Sequence, residues 1–160
     1  MIRDGHLKRL FAVLYGRCIQ LKHCASDKFL SLCKGVSGLQ PGSIRVEVDT
    51  EGGEGSWLDV QPGFKVRKEQ EPVVVTDQAV LRFTKKGLFL HSYCPHDVGE
   101  TGTEIPADFP GNEINGWETR DSRFTVRQHA KFDQGNRILC SGDPVRVMHK
   151  QEQVWRGVCV

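Results

Sequence analysis

Apolar and polar residues alternate with a period of two along most of this chain, in short runs broken by turn residues. Ile19, Leu21 and His23 alternate with Gln20, Lys22 and Cys24, and the turn Ala25-Ser26-Asp27-Lys28 leads into Phe29-Leu30-Ser31-Leu32. A period of two marks a strand with one buried face, so this stretch predicts a hairpin. Ile44, Val46 and Val48 alternate with Arg45 and Glu47, Leu58 and Val60 with Trp57 and Asp59, and Ala79, Leu81 and Phe83 with Val80 and Arg82. Val145, Val147 and His149 complete the series. Strands are expected near 18–24, 44–48, 57–61, 79–83 and 145–149. Weaker signals place strands at about 10–15 (Phe11, Val13, Tyr15, although Leu7, Leu10, Phe11 and Leu14 also have helical spacing), at 64–68 as a continuation, at Val73-Val74-Val75, at Leu88-Phe89-Leu90, and on Phe124, Val126 and Gln128. Residues 94–116 hold Pro95, Pro106, Pro110 and Gly111 and read as a long irregular loop.

The pattern repeats. Leu21, Phe29 and Leu30 return 60 residues on as Leu81, Phe89 and Leu90, and Trp57 returns as Trp117. Val145 to His149 matches Ile19 to His23 at an offset of 126, which puts Trp155 where Phe29 stands. A unit of a few short strands cannot bury its apolar face alone. Three such units closing on one another make a β-trefoil, with paired strands as a barrel and hairpins as its cap. Leu21, Leu30, Trp57, Leu81 and Leu90 are then expected in the core.

Composition narrows the class. At 160 residues the chain is one domain's worth, and 17 glycines with little helical periodicity favour an all-β fold. A net charge of +2 without a basic face gives no nucleic-acid partner. No apolar run approaches the roughly 18 residues of a membrane span, and the first fifteen residues lack a cleavage pattern, so the chain reads as soluble. Six cysteines without a C-x-x-C pair are expected as reduced cytosolic thiols. Cys94-Pro95-His96 offers two metal ligands and no third. The six histidines are dispersed, and His23 and His149 hold equivalent repeat positions, a structural reading. No catalytic residue, cofactor or metal ligand is assigned. Lys65-Arg67-Lys68, Arg82-Lys85-Lys86 and Arg120-Arg123-Arg127 could serve an anion, but each reads first as a solvated strand face or turn. Gln153-Val154-Trp155 fits the Q-x-W of sugar-binding trefoils in a single copy.

Gln20-Leu21, His23, Ser26, Lys28 and Leu30 resemble the opening of an MIR repeat. Arg45-Val46 through Asp49, Glu54-Gly55-Ser56-Trp57, Gln61-Pro62, Lys65 and Arg67 are similar to the amino-terminal region of inositol trisphosphate receptors and their ryanodine receptor relatives. Val73-Val74, Asp77, Val80-Leu81, Leu90-His91, Asn112-Glu113-Ile114-Asn115, Gly142-Asp143, Val145-Arg146, His149, Gln151 and Glu152 continue the match in order. In the family register the second Ser-Trp falls on Ser122-Arg123, the aromatic after the first Trp is replaced by Leu58-Asp59, and the sequence leaves the pattern after Glu152.

The resemblance implies a partial MIR-type β-trefoil: a short segment at 1–9, a trefoil region at 10–142 with repeats at about 18–68 and 73–130, and the truncated opening of a further repeat at 143–160. One leaf is expected to be missing, leaving open strand edges that promote association. The implied function is that of a non-enzymatic regulatory domain on the cytosolic face of the endoplasmic reticulum, within a ligand-gated calcium-release channel. Its implied partners are the ligand-binding core and neighbouring subunits of a tetramer. Inositol trisphosphate would bind only in the full-length protein, since the family's ligand contacts fall beyond this chain. Two alternatives stand beside it: a glycan-binding MIR module of an O-mannosyltransferase-like or secretory-pathway protein, and a ligand-free scaffold trefoil.

Overall fold

The computed structural model describes residues 12–93, 113–118, 120, 122–128, 138–149 and 155–159. Its strands are β1 (Cys18–Gln20), β2 (Lys22–His23), β3 (Lys28–Val36), β4 (Ile44–Asp49), β5 (Trp57–Pro62), β6 (Gln78–Phe83), β7 (Phe89–Tyr93), β8 (Glu113–Trp117), β9 (Phe124–Gln128), β10 (Pro144–His149) and β11 (Trp155–Cys159), with one 3-10 turn at Glu54–Ser56. All pairings are antiparallel, and the fold is all-β and trefoil-like.

Three segments of the same backbone course, 12–16, 72–76 and 138–142, gather at one end. Val13 N donates to Leu139 O, Leu139 N to Val73 O and Val73 N to Val13 O, at 2.8, 2.9 and 2.8 Å. This cycle ties the three leaves together through buried Val13, Val73 and Leu139. Each segment then turns through a left-handed residue: Gly16 (φ 82°), Thr76 (φ 82°) and Gly142 (φ 86°). Glycine accepts that conformation without a Cβ clash, whereas Thr76 holds it under strain. A strand follows each turn, and the three hairpins share one register, with Lys22 opposite Phe29, Arg82 opposite Phe89 and Met148 opposite Trp155.

The same equivalence closes the barrel. Within leaves, Ile19 faces Leu58, Ala79 faces Phe124 and Val145 faces Val158. Between leaves, Leu58 faces Phe83, Phe124 faces His149 and Val158 faces His23. The third leaf thus has both barrel strands, but only the five residues 150–154 separate β10 from β11, where the other leaves insert β3–β4 and β7–β8. The open barrel expected from a missing leaf is therefore closed by β11. Among the described residues β11 pairs with Lys22 and His23, and the equivalent β5–β6 ladder runs from Leu58 opposite Phe83 to Pro62 opposite Ala79.

Leu21, Leu81 and Val147, equivalent in the three leaves, fill the barrel with Leu58, Val60, Phe83, Phe124 and Val126. Each fully buried side chain of this size contributes roughly 1.5–3 kcal/mol.

Several expectations change. The 18–24 strand is split at Leu21 into β1 and β2. At 12–14 and 72–74 there are single bridges rather than strands, because each segment serves the three-way ring and not a ladder. Residues 64–68 form turns: Gly63 N donates to Gln78 O at 2.8 Å and diverts the chain, leaving Val66 81% exposed. Residues 113–116, read as loop, belong to β8; the expected loop at 94–112 lies outside the described residues. Leu21, Leu81 and Leu90 are buried, but Leu30 is only partly so, and Trp57 is 42% exposed because its neighbours Leu58 and Val60 own the inward face. Trp57 and Trp117 are not equivalent, since one lies on β5 and the other on β8; β5 matches β9, and buried Ser56 matches buried Ser122. The expectation of reduced thiols fails at Cys24, which is disulfide-bonded, while Cys18 and Cys33 are free thiols.

Candidate functional site

A groove of about 490 Å³ runs along the outer side of β1. Val13 and Ile19 lie along it, Phe29 and Trp57 flank one end, and the Ser141–Gly142 turn lies at the other. The Glu-Gly-Ser-Trp block shapes the aromatic end. Gly55 packs so closely on β3 that an added Cβ would sit 2.8 Å from Leu32 O, and this holds the 3-10 turn that delivers Trp57. Gln20 reaches across to the same block, donating from Nε2 to Gly52 O (2.8 Å) and to Ser56 Oγ (2.7 Å). Lys22 is held by Asp27 at 2.7 Å and lies 5.3 Å from the Phe29 ring centroid. Cys18 offers an exposed, free thiol, and Arg17 is exposed.

Between the first two leaves the chain 61–71 fills the corresponding space. Gln70 N donates to Tyr15 O and Tyr15 N to Glu71 O. Arg67 bonds Asp77 through Nε (2.9 Å) and Nη2 (3.2 Å), and the buried Tyr15 hydroxyl donates to Asp77 Oδ2 at 3.0 Å. Burial, then the charge and hydrogen bond of Asp77, push the Tyr15 phenol well above its ordinary range. The hydrogen bond to Asp77, then its charge, raise the Arg67 guanidinium further.

Each basic cluster has at least one member used within the fold. Arg67 serves Asp77, and Lys85 pairs with Glu54 at 3.1 Å. Arg120 donates to Gln61 Oε1 (3.2 Å) and Pro62 O (2.7 Å), and Arg123 donates to Gly63 O (3.2 Å) and stands 4.8 Å from the Phe64 ring centroid. The structure therefore brings two of the three clusters to one turn, which spacing could not show. His23 hydrogen-bonds Ser26 within its hairpin turn at 2.8 Å. His91, buried, bonds Ser122 and stacks on Trp117 with centroids 6.2 Å apart. Cys94-Pro95-His96, Gln153 and Val154 lie outside the described residues, as do the side chains of His149, Arg127 and Trp155. Among the described residues no group of three His, Cys, Asp or Glu could hold a metal ion. Sequence reading quoted Gln20, Ser56 and Ser122 for the family resemblance alone and gave none of them a contact in the fold. The described lining of the groove combines apolar Val13 and Ile19 with the Phe29 and Trp57 rings and the polar Arg17, Gln20 and Lys22.

Residues 3–148 match the family model described as inositol 1,4,5-trisphosphate/ryanodine receptor. The fold is similar to that of an SDF2-like protein from Arabidopsis thaliana (TM-score 0.70, 17% identity, covering 92% of this chain and 87% of that one). It is also similar to a Caenorhabditis elegans protein of unknown function (TM-score 0.70, 15% identity, 92% and 88% covered). A third similar structure is the S. cerevisiae protein O-mannosyltransferase Pmt1–Pmt2 complex bound to the sugar donor (TM-score 0.68, 13% identity), where the match covers 94% of this chain and 23% of that one.

Proposed function

Because the chain belongs to the inositol 1,4,5-trisphosphate/ryanodine receptor family, we propose that it is a non-catalytic regulatory module of an intracellular calcium-release channel. It acts at the cytosolic face of the endoplasmic reticulum by packing on the ligand-binding core and on neighbouring subunits, and so couples ligand binding to gating. The family match over 3–148 carries this reading. No helix among the described residues is long and apolar enough to cross a membrane. The module's part in this reading is contact rather than conduction. The organisation that goes with it is one trefoil whose third leaf includes β10 and β11. The test is calorimetry of inositol trisphosphate against a recombinant ligand-binding core of a related receptor, with and without this chain. The chain alone should show no binding in the micromolar range, and its addition should change the core's affinity by about five-fold or more, the lower range of allosteric coupling. An unchanged core affinity at saturating chain would overturn the proposal.

One observation favours a second reading. Cys24 is disulfide-bonded, and disulfides persist chiefly in oxidising compartments. A glycan-binding MIR module of the secretory pathway would fit that chemistry. Binding of the oxidised chain to an oligosaccharide array, lost on reduction, would support it.

A further inference from the structure

Cys24 is the first residue after β2 and opens the turn that joins β2 to β3. It is disulfide-bonded and exposed. Its neighbours close the turn: Asp27 N donates to His23 O at 2.9 Å, Ser26 Oγ and His23 Nδ1 are 2.8 Å apart, and Asp27 pairs with Lys22 at 2.7 Å. β2 is only 2 residues long, and each of them stands between two partners. Lys22 lies between Phe29 and Cys159, and His23 between Lys28 and Val158. A bond at Cys24 therefore tethers the end of a short strand that joins the first leaf to the third. The turn sets Lys22 and Lys28 against Asp27, so an anionic thiol is drawn to it rather than repelled.

We propose that Cys24 is a thiol-exchange site: its disulfide opens to a low-molecular-weight thiol, and the opening loosens the end of β2. Structural disulfides resist reduction, whereas exposed ones are the labile and regulatory ones, because the attacking thiolate must reach a sulfur. The thiolate RS⁻ attacks Cys24 Sγ. A new S–S bond forms as the old one breaks, and the partner sulfur leaves as a thiolate that takes up a proton. A second RS⁻ attacks the mixed disulfide and releases RSSR and the Cys24 thiol. Two RSH are thus oxidised to RSSR, and the protein disulfide is reduced to two thiols. A cytosolic and a lumenal thiol would do the same chemistry, and the redox poise of the thiol pool distinguishes them. Cys33 is a half-buried free thiol that donates to Gly35 O at 3.7 Å, and it serves as the reference.

The test takes the full oxidised chain under native conditions, adds glutathione, traps freed thiols by alkylation and maps the peptides by mass spectrometry. A glutathione adduct should form on Cys24 while the alkylation of Cys33 is unchanged. Once the bond is open, the amides of Lys22 to Phe29 should exchange hydrogen about ten-fold faster, equivalent to roughly 1.4 kcal/mol. In the same short labelling window Val13, Val73 and Leu139 should stay protected, which separates local opening from unfolding. Cys24→Ser should show the fast exchange at Lys22 to Phe29 without glutathione and should not respond to it. If that variant does not fold, the wild-type chain, reduced and alkylated under native conditions, gives the same comparison. Opening in strongly reducing glutathione alone makes the site a cytosolic switch, and opening in a mildly oxidising pool as well lets it work in the secretory lumen. A disulfide that stays closed in both pools overturns the proposal. So does an adduct that never forms on Cys24, exchange unchanged by opening, or protection lost throughout the chain.

Discussion

The Tyr15–Asp77–Arg67 cluster locks the first leaf to the second, and its removal should cost far more than a surface ion pair. Tyr15 is 0% exposed, and its hydroxyl bonds Asp77 Oδ2 at 3.0 Å. The same oxygen accepts Arg67 Nε at 2.9 Å and lies 3.4 Å from Val74 N. A hydrogen bond to a charged group contributes about 1.5–3 kcal/mol, so Tyr15→Phe should destabilise by about that amount. Asp77→Ala leaves the buried hydroxyl without its acceptor and should cost about 2–4 kcal/mol. Arg67 is solvent-screened, and Arg67→Ala should be the mildest of the three. Because Tyr15 and Asp77 share one bond, the double variant should be less destabilised than the sum by about 1–2 kcal/mol. Urea unfolding with a common slope measures all four corners of the cycle. The pH dependence gives a second readout. The native phenol keeps its proton above the ordinary value of 10.0, so the unfolded chain ionises first as pH rises. Its contribution is complete below about pH 10 and is lost progressively above it. Tyr15→Phe should flatten that alkaline loss. A coupling below about 0.5 kcal/mol, the usual limit of additivity, together with an unchanged alkaline slope, would refute the reasoning.

Leu58→Ala should destabilise by about 2–5 kcal/mol in urea, and Trp57→Ala by clearly less, because adjacent strand residues face opposite sides. Thr76→Gly should raise stability by about 0.5–1 kcal/mol, read as a higher melting temperature, by relieving a left-handed threonine at a position where the other leaves carry glycine. Gly142→Ala should do the reverse, losing about 1–2 kcal/mol. With six cysteines and Cys24 in a disulfide, the denatured chain should titrate four thiols before reduction and six after, and reduction should lower stability by about 2–4 kcal/mol.

The alternation of Ile19, Leu21, Ala79, Leu81, Val145 and Val147 determined the all-β class, the barrel strands and their threefold repetition. It could do so because side chains on a strand answer to a local rule: every second one faces the core. The hairpin register at Lys22–Phe29 and Arg82–Phe89 was legible for the same reason. Elsewhere the local rule was insufficient. Trp57 looked like core by its size, yet its exposure was decided by which face of β5 met the barrel. The ring of Val13, Val73 and Leu139 and the meeting of Arg120 and Arg123 with the 61–64 turn are contacts between remote segments, and spacing along one chain does not encode them. The groove depends on the tertiary structure most of all. Its lining comes from four segments, 12–22, Phe29, Trp57 and 141–142, which only the closing of the leaves brings together.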